Sequence, residues 1–126
     1  MSTAGASERL QFDYRLDAGV AVVTATGEVD VTTCGLLRSA LLRALTEENC
    51  RGLVVNLASV SFIDSTGIGV LVGIWRRVRD SNGRLALAAP SRQVQRILDT
   101  AGLTKVLSVY DLEVEAVQAC RQPAGG

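Results

Sequence analysis

The sequence predicts an α/β domain: a small mixed β-sheet with helices packed against it, in the order β-β-α-β-α-β-α-β-α. Three observations carry this prediction. The 126 residues fit one domain. Hydrophobic residues make up 48% of the chain but aromatic residues only 4%, so the core must be aliphatic. Short β-branched runs alternate along the chain with segments of helical periodicity, after an opening pair of strands.

Residues 1–8 are small and polar and read as a disordered N-terminus; the domain is expected over 9–120, with a flexible tail at 121–126. LQFDYRLD (10–17) alternates and VAVVTATG (20–27) is strongly β-forming, so Ala18-Gly19 reads as a hairpin turn. GEVD (27–30) turns into a helix over 32–48, where Leu37, Leu41, Ala44, Leu45 and Glu48 recur at helical spacing. GLVVNLASV (52–60) is a buried strand. FID then leads into a second helix over 65–80, ended by Ser81-Asn82-Gly83, since Asn and Gly tolerate the left-handed conformation.

RLALAA (84–89) is a strand. Pro90 and Ser91 open a third helix with Val94, Ile97, Leu98 and Ala101, closed by Gly102. KVLSVY (105–110) reads as the last strand, and Asp111 as the cap of a final helix carrying Leu112, Ala116, Val117 and Cys120.

Composition narrows the function. Thirteen basic and thirteen acidic residues cancel, which leaves no footprint for nucleic acid or an anionic membrane. Histidine is absent, so a Ser-His-Asp hydrolase and a His-containing zinc site are excluded, and no metal or cofactor is expected. Cys34, Cys50 and Cys120 show no CxxC pairing and read as reduced thiols, with a redox switch among them as the alternative. MSTAGASERL lacks an apolar signal core, and no segment reaches the roughly 18 apolar residues of a membrane helix. The expectation is a cytoplasmic protein.

FIDSTGIG (62–69) holds the chemistry. On a helical wheel of 65–80, Ile68, Leu71, Val72, Trp75 and Val78 form the core stripe. The opposite face carries Thr66, Gly69, Val70, Gly73 and Arg77, with Ile74 at its edge. An interior helical glycine costs about 1 kcal/mol relative to alanine, so a bare face needs a reason. Either the glycines pack under another helix of the domain, or they form a flat docking surface with Val70 and Ile74 as its apolar contacts. Asp64 and Ser65 are both good capping types. A phosphate on Ser65 would sit ahead of unpaired helix N–H groups, where negative charge is favoured, and would alter the surface without unfolding it.

Other uses of these residues fit less well. TGIGVLVG is not G-x-G-x-x-G, and no G-x-x-x-x-G-K-[ST] exists, which argues against dinucleotide and P-loop sites. A phosphoryl-accepting aspartate domain needs paired acids at the end of its first strand, whereas Glu28 and Asp30 follow the second, and Lys105 precedes its strand. An enzyme would have to use Asp64, Glu28 or Asp30 as its base.

GEVDVTT (27–33), LVVNLASVSFIDSTGIGVLVG (53–73), the Gly-Arg-Leu strand at 83–85 and AGLTKVLSVYD (101–111) together resemble the STAS domain of bacterial anti-sigma factor antagonists. The resemblance runs from about residue 10 to 119. It implies a non-enzymatic STAS-like domain that, unphosphorylated, binds an anti-sigma factor and so frees a sigma factor for transcription. It further implies that this anti-sigma factor is a serine kinase of the histidine-kinase-like ATPase fold. The kinase would phosphorylate Ser65 and so end binding, and a metal-dependent serine phosphatase would reset the switch. The family's partner surface maps onto Asp64, Ser65, Thr66, Gly67 and Gly69, with Glu28 and Asp30. Asp64 is expected to order the loop and orient the acceptor hydroxyl; Thr66 is a helix-start or interface group, or a minor acceptor. Alternative roles in the class are a domain appended to an anion transporter, a scaffold in stress-sensing assemblies, a redox-controlled interaction protein, and a nucleotide-binding module.

Overall fold

The computed structural model of the chain describes residues 9–47 and 52–121. Strands β1 (Leu10–Asp17) and β2 (Val20–Val29) form an antiparallel hairpin. Its two turn residues, Ala18 and Gly19, both have positive φ, at 54° and 84°. That pair of left-handed residues gives the turn the twist a two-residue hairpin needs. Helix α1 (Cys34–Glu47), strand β3 (Gly52–Ile63), helix α2 (Ser65–Asp80), strand β4 (Arg84–Ala88) and helix α3 (Arg92–Thr100) follow. A short strand β5 (Ser108–Tyr110) and helix α4 (Glu113–Arg121) complete the order.

The sheet order is β1-β2-β3-β4-β5, and every pair after the hairpin is parallel. Parallel strands need both faces covered, which explains the continuous apolar runs of β2, β3 and β4. Alternation then sorts their side chains. Ala21, Val23, Leu53, Val55, Leu85 and Leu87 pack with Leu37, Leu41, Leu71, Ile74 and Leu98 of the first three helices. Val20, Val22, Val54, Ala86 and Ala88 pack with Ala116, Val117 and Cys120 of α4. Three helices therefore cover one face and one covers the other.

A polar tie holds α4 to the sheet. Asn56 of β3 donates to the Glu113 carboxylate at 2.8 Å, and Arg15 of β1 donates to the same carboxylate. These bonds, led by the one from Arg15, hold the Glu113 carboxyl below its ordinary range.

The structure departs from the sequence reading at the ends of elements. Strand β2 runs on to Val29, so GEV is strand rather than turn, and β3 extends past Val60 to Ile63. The strand expected over 105–110 shrinks to Ser108–Tyr110, and Leu103–Lys105 forms a turn of 3₁₀ helix. The reason is the burial of Leu103 and Leu107, whose spacing of four suits a helical turn closed by the Leu107 N–H to Leu103 O bond at 2.8 Å. Arg121 belongs to α4, not to a tail. The disordered N-terminus expected at 1–8, the tail beyond Arg121, Glu48 and Cys50 lie outside the described residues.

Candidate functional site

The carboxyl ends of β2 and β3 lie side by side, with Val29 paired to Ile63. Each strand is followed at once by an aspartate, and the two chains then make the same turn. In the first, Asp30 Oδ1 accepts from Thr32 N at 2.9 Å, Thr32 Oγ1 at 2.7 Å and Thr33 N at 3.1 Å. In the second, Asp64 Oδ1 accepts from Thr66 N at 2.9 Å, Gly67 N at 3.2 Å and the Thr66 hydroxyl. D-V-T and D-S-T are thus two copies of one side-chain-closed turn, each leading into a helix. The middle residues, Val31 and Ser65, are exposed at adjacent tips.

The second turn caps α2: Asp64 has extended backbone and satisfies two of the helix's first N–H groups. Its own N–H donates to Val29 O at 3.0 Å, which fixes the helix start against the end of β2. The Thr66 hydroxyl is the main reason the Asp64 carboxyl lies below its ordinary range; the two backbone amides reinforce it, and the neighbouring charge of Asp30 opposes it. The Asp30 carboxyl is pulled down to about 2, chiefly by the Thr32 hydroxyl, with help from the Thr32 amide, Arg9 and the Thr33 hydroxyl. Arg9 reaches Asp30 at 2.5 Å, Thr32 Oγ1 at 2.7 Å and Glu28 at 3.8 Å. Thr33 is fully buried, yet its hydroxyl donates to Glu28 O at 2.8 Å and accepts from Asp30 N at 2.9 Å.

These bonds correct one part of the role expected for Asp64, the orienting of the Ser65 hydroxyl. Among the described residues its carboxylate is bonded to Thr66 and Gly67, and it does not hold the Ser65 hydroxyl. Thr66 is a turn-closing group.

The helical wheel needs a rotation. Val70 and Ile74 are buried, at 4% and 3% exposure, so they belong to the core and offer no contact to a partner. Gly67 is also buried. A Cβ there would lie 2.5 Å from Val29 Cγ1 and 2.6 Å from Ile63 Cγ1, so this glycine lets α2 sit directly on the strand ends. The exposed face instead runs through Ser65, Gly69, Gly73, Arg76 and Arg77, with Val72 and Trp75 half-buried beside it. Added Cβ atoms at Gly69 and Gly73 would meet nothing within 4 Å, so among the described residues nothing packs over these two glycines. A bare backbone face therefore exists at Gly69 and Gly73, and among the described residues the packing alternative fails for both; Gly67, which is not on that face, packs on strand ends rather than under a helix.

Sequence reasoning missed Val31, 70% exposed, and Phe62, 38% exposed on the strand leading into the motif. An apolar residue between Asp30 and Thr32, inside a polar turn, was the available signal for Val31.

The cysteines do not gather. Cys34 is half-buried and packs on the three-helix side, whereas Cys120 is buried under α4 on the other side of the sheet. A Cys34–Cys120 bridge would have to cross the sheet, so these two thiols do not form the redox pair the sequence allowed. Burial pushes the Cys120 thiol up to about 11. Among the described residues no group of three His, Cys, Asp or Glu side chains could hold a metal, and no helix is long and apolar enough to cross a membrane.

Residues 11–116 match the STAS domain. The chain belongs to the STAS domain family. This STAS domain is 32% identical over 108 residues to the anti-sigma F factor antagonist of Paenibacillus polymyxa, covering 86% of this chain and 92% of that protein. It is 36% identical over 87 residues to the anti-sigma-B factor antagonist of Bacillus subtilis, covering 69% and 78%. Its fold superposes on the crystal structure of an anti-sigma factor antagonist from Mycobacterium paratuberculosis with a TM-score of 0.81, at 26% identity, covering 93% of this chain and 98% of that one.

Proposed function

We propose that this STAS domain is an anti-sigma factor antagonist switched by phosphorylation at Ser65. Unphosphorylated, it binds an anti-sigma factor that is also a serine kinase of the histidine-kinase-like ATPase fold, and the sigma factor is released. The kinase then passes the γ-phosphoryl group of ATP to Ser65 Oγ. The hydroxyl proton is lost, ADP leaves, and the complex dissociates. A metal-dependent serine phosphatase hydrolyses the phosphate ester and restores the binding form. The cycle belongs in the cytoplasm, where sigma factors act.

The observation that carries this reading is the division of labour between Asp64 and Ser65. Asp64 alone caps α2, so Ser65 is exposed at the first helical position and free of a structural duty. A phosphate there leaves the cap and the core contacts of α2 intact, and adds about two negative charges to a surface already bearing Asp30, Asp64 and Glu28. The proposed contact surface is Ser65, Gly69, Gly73 and Arg77 of α2, with Glu28, Asp30 and the exposed Val31 and Phe62 at the adjacent strand ends.

An enzymatic reading has less support. Both Asp30 and Asp64 are held ionised by bonds that already fill their inner oxygens, the opposite of a base poised near neutrality. The test is mass spectrometry of the protein after incubation with ATP, Mg²⁺ and the host's candidate anti-sigma kinases, with S65A alongside. One added phosphate, mapped to Ser65 and coupled to loss of kinase binding, is the expected result. Tight binding without any phosphate would leave a constitutive antagonist, and turnover of nucleotide or ester by the domain alone would favour an enzyme.

A further inference from the structure

Ser65 has a second neighbourhood besides the paired turns. Away from β2, its side chain lines a groove of about 410 Å³ between α2 and α3. The floor is apolar, formed by Ile68 and Ile97, and the far wall carries Gln93, Arg96 and Thr100. The charge pattern across Ser65 is uneven. On one side lie the carboxylates of Asp64 and Asp30, where the charge of Asp30 opposes the ionisation of Asp64 and the cation present, Arg9, is already bonded to Asp30. On the groove side Arg96 is the single charged residue, and no carboxylate lines the wall. Arg96 is exposed, and among the described residues it has no hydrogen-bond or ion-pair partner. Asp99, the acid of α3, accepts instead from Gln95 at 3.1 Å.

We propose that Arg96 is the cation that receives a phosphate carried on Ser65, so that the modified side chain bridges α2 to α3 across their groove. This rests on Ser65 being the modified residue. The physical reason is direction. A dianion on Ser65 is repelled from the Asp64 side and attracted to the one cation on the other. Guanidinium is the group best matched to a phosphate, which it can hold through two N–H donors. Gln93 and Thr100, near Arg96 on the same helix, supply neutral donors for the third oxygen. The unphosphorylated groove then stays open, and the phosphorylated one closes over Ile68 and Ile97.

Phosphoserine is installed at position 65 of the full chain by genetic-code expansion, so the test needs no cognate kinase. The second ionisation of the phosphate is followed by ³¹P NMR. A nearby cation favours the dianion, so the midpoint is expected about half a pH unit lower in the wild-type phosphoprotein than in its R96Q variant. The R96Q change should also lower Tm of the phosphoprotein while leaving the unphosphorylated protein unchanged. R121Q, on α4 across the sheet, serves as the control and should move neither. Equal midpoints in wild type and R96Q overturn the bridge, whether or not a kinase acts on Ser65. An Arg96-dependent midpoint together with failure of every candidate kinase to modify Ser65 supports the bridge's geometry and overturns the switch on which its use depends.

Discussion

Val31 and Ser65 occupy the same position in two side-by-side copies of one turn, each held from behind by an aspartate and a threonine. One tip is apolar; the other carries the hydroxyl proposed as the phosphate acceptor. Under that proposal a partner lying across both would meet an anchor and a switch at neighbouring points.

Ser65→Ala should keep the partner bound through repeated ATP turnover, whereas Ser65→Glu should weaken binding roughly tenfold or more, one carboxylate standing in for part of a phosphate. Val31→Asp should weaken binding comparably with Tm unchanged, since Val31 is 70% exposed. Calorimetry against the purified anti-sigma factor measures all three. Full affinity in V31D would remove Val31 from the contact surface.

The glycines of α2 should separate into two kinds. Gly67→Ala places a methyl 2.5 Å from Val29 Cγ1 and should destabilise the fold by about 1–3 kcal/mol. Gly73→Ala meets open space and should stabilise it by up to about 1 kcal/mol. Gly73→Trp should fold normally yet lose partner binding. Urea unfolding with a parallel binding assay reads both properties, and a G73W protein that still binds tightly would end the case for a flat docking face.

Acid should loosen the site before the core. The Asp30 carboxyl is held at about 2 against an ordinary 3.8, and that of Asp64 is also lowered. A depressed folded-state value means the stabilisation is complete above the unfolded value and is lost as pH falls from 3.8 towards 2. Asp30→Asn should therefore lower Tm at neutral pH and flatten the acid limb of a Tm–pH curve. A mutant curve parallel to wild type over that window would show that Asp30 is not stabilising the fold through its charge.

The thiols should react in order. Iodoacetamide at neutral pH should modify half-buried Cys34 well before Cys120, whose burial raises its pKa to about 11. Cys120 should label only on unfolding, and mild oxidation should give no Cys34–Cys120 crosslink. Peptide mapping distinguishes these outcomes, and such a crosslink in folded protein would contradict the placement of the two residues on opposite sides of the sheet.

The sheet and the bounds of α2 were legible because periodicity and caps are local signals. Apolar runs marked β2, β3 and β4, and Asp64 with Ser81-Asn82-Gly83 bracketed the helix. The orientation of α2 was not legible. A wheel ranks faces by composition, and with apolar residues spread around the helix, Val70 and Val72 are equivalent candidates for the core. Only the seat of Gly67 on Val29 and Ile63, a contact between distant segments, turns Val70 and Ile74 inward. The paired turns escaped for the same reason. D-V-T-T and D-S-T-G are 34 residues apart, and their kinship shows only when parallel strands bring Val29 beside Ile63. Strand β5 is shorter than the sequence predicts because Leu103 and Leu107 answer to a helical turn inside a β-rich segment.

The uncovered backbone at Gly69 and Gly73 has a further consequence for selectivity. A backbone patch of this kind has no rotamers of its own to freeze on association, so a partner would meet it at little entropic cost. The same surface offers nothing to distinguish one partner from another. In a cell holding several domains of this kind, discrimination falls to the rim, where Glu28, Val31 and Phe62 are exposed. Exchanging those three residues between such domains should then redirect signalling, while exchanging the glycine face should not.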